Sequence, residues 1–152
     1  MNQVIESPRG SDLAAQLLRA RELSEVATLD YKRLLKAAGE QMTQTQIASI
    51  LRVSQPAIAT ALKRAAKVPN AVEDFKAASP HEVCQRYAAG LISRDEVIRE
   101  LVAWPYKSKP KVNEFGELEG TTEGTFVEVQ NAVSFGLIDY DIYEEVLDQR
   151  AD

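Results

Sequence analysis

The sequence predicts an all-α protein built as a long N-terminal helix, a helix-turn-helix and then two helical hairpins. Three observations carry that prediction. Apolar residues recur every three or four positions between Ser11 and Gly39. Boxes of the Ser/Thr-x-x-Glu/Gln kind, which mark helix starts, stand at Thr43 with Gln46, Ser79 with Glu82, Ser93 with Glu96 and Thr125 with Glu128. The string Gly-Leu-Ile occurs twice, at Gly90 and Gly136, each time between an apolar-periodic run and a polar helix-start residue.

Taken in order, Met1 to Gly10 contains Pro8 and Gly10, lacks periodicity and reads as a loose lead-in. Leu13, Leu17, Ala20, Leu23, Ala27, Tyr31, Leu34 and Ala38 then define one face of a helix that ends at Gly39. Unbroken, it would be about 40 Å long at ~1.5 Å per residue. That is more than a small domain needs, so its overhang is expected to pack on another subunit, unless two shorter helices break near Ser24 or Thr28. Loops fall at Val68 to Asn70 and from Trp104 to Gly124, where Pro105, Pro110, Gly116, Gly120 and Gly124 mark a linker with a weak hairpin signal around Phe115 to Leu118. The expected divisions are residues 1–70 with the helix-turn-helix, 71–106 as a first helical hairpin, 107–124 as linker and 125–152 as a second, acidic hairpin.

With 152 residues the chain can bury an ordinary core, and its apolar and charged shares are near the globular average. The single cysteine, Cys84, allows no internal disulfide and suits a reducing compartment. No apolar run reaches the ~18 residues that span a bilayer, and the N-terminus lacks the basic-then-apolar order of a secretory signal. The expected location is therefore cytoplasmic, without a membrane.

Charge is divided unevenly. Residues 1–112 hold 17 Lys and Arg against 12 Asp and Glu, while residues 113–152 hold Arg150 alone against 11 acids, for a net charge of −5. A basic segment suits a polyanion; an acidic one repels it and points to another role, such as a protein partner, or to a solvated surface.

The string Gln44 to Arg64 has the internal order of a helix-turn-helix. Ile47, Ala48 and Leu51 form the inner face of its first helix, and Ile58, Ala61 and Leu62 that of its second. Two helices crossing steeply need a small residue where they approach, which assigns Ala48 to the crossing, Ile58 opposite it and Val53 as the plug of the turn. Ser54 caps the second helix and, with the helix N-terminus, can hold a phosphate. Beyond Gln55, the outer side of that helix shows Pro56, Ala57, Ala59, Thr60, Lys63, Arg64 and Lys67. Its short leading residues let it sit deep in a major groove, where Ala57 or Thr60 can touch a thymine methyl and the later cations meet phosphates. From Tyr31 to Val68, Lys32, Arg33, Lys36, Arg52, Lys63, Arg64 and Lys67 face Glu40 as the sole acid. Any one of these lysines serves equally as a match for a helix dipole.

Over Thr43–Ala66 the sequence resembles the lambda-repressor-like bacterial and phage helix-turn-helix proteins of the Xre/Cro type. The resemblance implies that a glutamine opening the first helix contacts a phosphate and one opening the second reads an adenine. Gln44 and Gln55 occupy those positions, with Thr45 beside the first. A glutamine amide offers the donor and acceptor that adenine N6 and N7 require. Arg52 departs from the family, which commonly has glycine there for a positive φ; keeping that conformation costs ~1 kcal/mol. The two Gly-Leu-Ile segments, Tyr87–Leu101 and Ala132–Leu147, resemble short oligomerisation hairpins of the SHOCT type, the glycine being a left-handed C-cap and Leu-Ile the plug under the turn.

Nothing points to catalysis, a cofactor or a metal. His81, the single histidine, stands beside Pro80 at a predicted helix start and reads as structural or solvated, Cys84 has no second thiol, and Glu144, Glu145 and Asp148 read as a solvated helix face. Trp104, Pro105 and Tyr106 are expected to cover the core, and Walker, dinucleotide and nucleophile-elbow motifs are absent. The expected function is a sequence-specific regulator, a repressor that binds double-stranded DNA as a homodimer. The alternative is an antitoxin or adaptor that holds a protein partner through its acidic C-terminal half and autoregulates through DNA. A structural helical pair with no affinity for DNA is the third reading.

Overall fold

The computed structural model describes the backbone of residues 2–151 and the side chains from Asp12 to Ala151. Its elements are α1 (Asn2–Gln41), α2 (Gln44–Leu51), α3 (Gln55–Ala65), α4 (Pro80–Ala88), α5 (Arg94–Ala103), β1 (Lys111–Val112), β2 (Leu118–Glu119), α6 (Val127–Ser134) and α7 (Tyr140–Ala151). The fold is all-α with one two-residue antiparallel ladder. No helix among the described residues is long and apolar enough to cross a membrane.

Helix α1 runs unbroken past Ser24 and Thr28 and starts at Asn2, nine residues earlier than expected; Met1 lies outside the described residues. Pro8 and Gly10 carry local penalties, but extending an existing helix needs no second nucleation, so the downstream segment carries them. Its inner face also differs from the expected one. Leu17 and Leu34 are 73% and 70% exposed and Leu13 is exposed as well, while the half-buried Leu18 and the buried Val26 and Leu35 point inward. Apolar residues lie on both sides of α1, and only packing selects between them.

The chain divides into two compact units inside α1, so the expected division at residue 70 accounts for only one of the boundaries: Ser24–Asn70 form one unit, and residues 1–23 with 71–152 the other. In the larger unit the two hairpins α4–α5 and α6–α7 share a single core rather than standing in series. Val83, Cys84, Val97 and Leu101 pack in one cluster with Phe126, Val129, Ile142 and Val146. Both Gly-Leu-Ile segments close a helix in the same way. Gly90 and Gly136 sit at φ +80° and +77°, and the N–H groups of Leu91 and Leu137 return to the carbonyls of Arg86 and Ala132, the bond pattern of a Schellman motif. Of the two plugs, Leu137–Ile138 is buried throughout, whereas Leu91 remains exposed above Ile92.

Trp104 is buried against this core, and the Tyr106 hydroxyl donates to the Leu101 carbonyl at 2.6 Å. The capping residues Ser79 and Ser93 accept from the N–H groups of Glu82 and Glu96, both at 3.1 Å. The fourth box does not form as a box. Thr125 is buried and its hydroxyl accepts the Val127 N–H at 3.2 Å rather than that of Glu128, while Glu128 accepts the Gly124 N–H and, across to the start of α4, the His81 N–H at 3.1 Å. The segment expected as a linker carries the β1–β2 hairpin, in register Lys111 with Glu119 and Val112 with Leu118.

Candidate nucleic-acid interface

In the smaller unit the helix-turn-helix is built from its caps inward. Thr43 caps α2 by accepting the Gln46 N–H at 3.1 Å, and the Gln46 side chain accepts the Thr43 N–H at 2.9 Å, completing a capping box. Helix α2 ends at Arg52, which holds φ 59° and ψ 43°, in the left-handed region. The Arg52 and Val53 N–H groups bond the Ser49 and Ala48 carbonyls, so this turn is a Schellman closure with arginine where glycine is the unstrained choice. Ser54 then caps α3, accepting the Ala57 N–H at 3.2 Å, and Pro56 stands in the first turn, where its missing N–H costs nothing.

The core of this unit is Leu35 from α1, Ile47 and Ala48 from α2, and Ile58 and Ala65 from α3, with Ala38, Ala61 and Leu62 half-buried around it. Ala48 and Ile58 therefore meet as their residue types predict. Two expected inner residues do not hold: Leu51 is 38% exposed and Val53 46% exposed. Leu51, the last residue of α2, instead lines an apolar groove with Tyr31, Leu34 and Met42.

The expected site residues lie at the surface of this unit. Gln44, Thr45, Arg52, Ser54, Gln55, Pro56, Ala57, Thr60, Lys63, Arg64 and Lys67 are all exposed, and Ala59 alone is half-buried. Gln55 donates its side-chain amide to Oε1 of Gln44, so the residues opening the two helices are coupled. The Thr60 hydroxyl is turned back to the Pro56 carbonyl at 3.2 Å, and its other branch is a methyl.

The cations of α1 separate into two kinds. Lys36 donates to the Val68 carbonyl at 2.5 Å and to Oδ1 of Asn70 at 2.7 Å, and Arg33 donates to the Pro69 carbonyl at 3.1 Å. Both therefore close the chain that leaves α3, a structural task that sequence alone does not separate from phosphate binding. Lys32 instead lines a cleft of about 420 Å³ with Tyr31, Thr60 and Arg64. The family resemblance placed Gln44 and Gln55 at the openings of the two helices but not in contact with each other, and pairings across more than thirty residues, such as Lys36 with Val68, leave no local signal.

In the larger unit, Cys84 is fully buried, and burial followed by the charge of Glu128 pushes its thiol up to about 12. No group of three His, Cys, Asp or Glu among the described residues could hold a metal ion. Comparison of the chain with protein-family models, curated proteins and solved structures finds no match.

Proposed function

We propose that this chain is a sequence-specific regulator that binds double-stranded DNA by laying α3 in the major groove, as its likeness to the lambda-repressor-like proteins implies. The observation that carries this reading is the coupled pair Gln44 and Gln55 on the exposed side of a fully capped helix-turn-helix. A glutamine held by its neighbour presents its amide to a base edge at a smaller ordering cost than a free one, and adenine offers the matching acceptor and donor. Arg52, Lys63, Arg64 and Lys67 supply phosphate contacts. Occluding a promoter needs no catalytic group, so the regulator is a repressor rather than an enzyme, and it works in the cytoplasm.

The working form is a homodimer, because one helix-turn-helix covers about half a site. An apolar groove on the α1–α2 side of the same unit, lined by Tyr31, Leu34, Ala38, Met42, Ile50 and Leu51 and by no charged group, favours a second copy as its occupant. Exposed aliphatic side chains gathered in this way mark interaction surfaces. Selection of duplexes from a random pool by the full chain tests the reading: an enriched motif supports it, and enrichment of no sequence removes it.

A second reading has its own support. Phe135 and Tyr140 are exposed beside Asp139, Asp141, Glu144 and Glu145 on the α6–α7 hairpin, an aromatic and acidic surface suited to a basic protein partner. Co-purification with a basic protein through residues 125–152 would make DNA binding the autoregulatory half of an antitoxin.

A further inference from the structure

The cleft between α1 and α3 contains two cations that nothing else in the unit occupies. Lys32 and Arg64 line it from the two helices, Tyr31 adds a half-exposed phenol, and the remaining lining is Leu35 with short α3 residues and no carboxylate. Neither Lys32 nor Arg64 has an ion-pair partner among the described residues, in contrast to Arg33, which stands 3.8 Å from Asp30. Lys36, one turn beyond Lys32, is turned to the carbonyls after α3 and away from this role.

Helical spacing assigns the two edges of α3 different neighbours. Gln55 and Ala59 lie on the α2 edge, where Gln55 meets Gln44. Ala57, Thr60 and Arg64, at i, i+3 and i+7, lie on the α1 edge and line the cleft. A helix with its side chains is ~10–12 Å across and a major groove about 12 Å wide, so a docked helix fills the groove and has a sugar–phosphate strand along each edge. Gln44 and the start of α2 attend one strand.

We propose that the α1–α3 cleft is the seat for the other strand, with Lys32 and Arg64 as its phosphate ligands and the Tyr31 hydroxyl as a further donor. This rests on the DNA reading above and adds to it a contact made by α1, outside the helix-turn-helix. The ligand class is the phosphodiester backbone, so the cleft contributes affinity and register and no base preference.

The test uses the full chain and two fluorescent duplexes, one of random sequence and one enriched by selection, titrated from 50 to 300 mM NaCl. Losing one phosphate contact lowers the slope of log K against log salt by ~0.9 and weakens binding about eightfold at 0.1 M salt. Lys32→Ala and Arg64→Ala should each do this equally on both duplexes, with Tyr31→Phe weaker in effect and the enriched motif unchanged. Arg94→Ala, an exposed cation in the other unit, is the charge control. Thermal melts establish that each variant is folded, and Lys32→Arg, which keeps the charge, should restore the slope. A Lys32→Ala slope no different from that of Arg94→Ala overturns the cleft proposal while leaving the reading helix intact. A change of base preference in Lys32→Ala overturns it too. Salt-sensitive binding absent from the wild-type chain overturns the DNA reading itself.

Discussion

The side-chain amide of Gln55 donates to Oε1 of Gln44, tying the first residue of α3 to the first residue of α2. The Gln55 carbonyl oxygen and its second amide hydrogen are then left for a base. Gln55→Ala is expected to abolish preference at one base pair, a loss of about 1–3 kcal/mol of discrimination, while affinity for random DNA holds. Gln44→Ala should weaken the same preference less, because Gln55 stays present but loses its support. Competition titrations with single-base-pair variants of the selected site check both. A Gln55→Ala protein with unaltered base preference would refute the assignment.

Arg52 occupies a left-handed position that a side chain strains. Arg52→Gly should raise stability by roughly 0.5–1 kcal/mol, because glycine adopts this conformation without the Cβ penalty. The same change removes a cation proposed to meet a phosphate, so binding should fall while the melting temperature rises. Opposite signs in calorimetry and in DNA titration are the expected pattern.

Glu82 and Arg86 form a 3.0 Å ion pair with both side chains buried, and Glu82 also accepts the Ala78 N–H at 3.1 Å. Removing Arg86 takes from the buried Glu82 carboxylate its counter-ion at 3.0 Å. Arg86→Met should cost about 3–5 kcal/mol in urea unfolding. The double change Glu82→Gln with Arg86→Met should recover part of that loss, a sign of pairing rather than of lost volume.

Cys84 ionises far above its ordinary value because burial, helped by the nearby charge of Glu128, disfavours the thiolate; burial raises Tyr106 as well. A group raised in the folded state stabilises fully below its unfolded value and loses that contribution as pH climbs toward the folded one. Stability should therefore hold to pH 9 and fall between pH 9 and 12, less steeply in Cys84→Ala. At pH 8 a thiol reagent should modify Cys84 only once denaturant is added, and rapid labelling of the native chain would contradict this burial.

What the sequence made legible was local. Caps at Thr43, Ser54, Ser79 and Ser93 and the crossing of Ala48 with Ile58 follow from residues within about ten positions of one another, whereas the left-handed Arg52 was implied only by the family resemblance. The inner face of α1 was not legible, since Leu17 adjoins Leu18 and Leu34 adjoins Leu35, and a periodicity shifted by one residue satisfies the same spacing. Nor was the shared core of the two hairpins, which depends on Val83 and Leu101 finding Val129 and Val146. At the site, the helix openings at Gln44 and Gln55 were readable, but the contact between their side chains and the turning of Lys36 to the Val68 carbonyl depend on where the helices lie in space.

That ambiguity in α1 has a testable consequence. Leu34 and Ile50 are 70% and 64% exposed in the apolar groove proposed to receive a second copy, and neither contributes to the buried core of its unit. An acidic residue at Leu34 would be free in the monomer but desolvated in the dimer, so Leu34→Glu should leave helicity and melting of the monomer unchanged. Sedimentation should then show the wild type as a dimer at micromolar concentration and Leu34→Glu at least tenfold weaker in association, each 1.4 kcal/mol being tenfold. On DNA, the loss should appear as half-site occupancy with the base preference of Gln55 retained. A wild type that stays monomeric at high concentration, or a Leu34→Glu protein that dimerises as before, would assign this groove no role between copies.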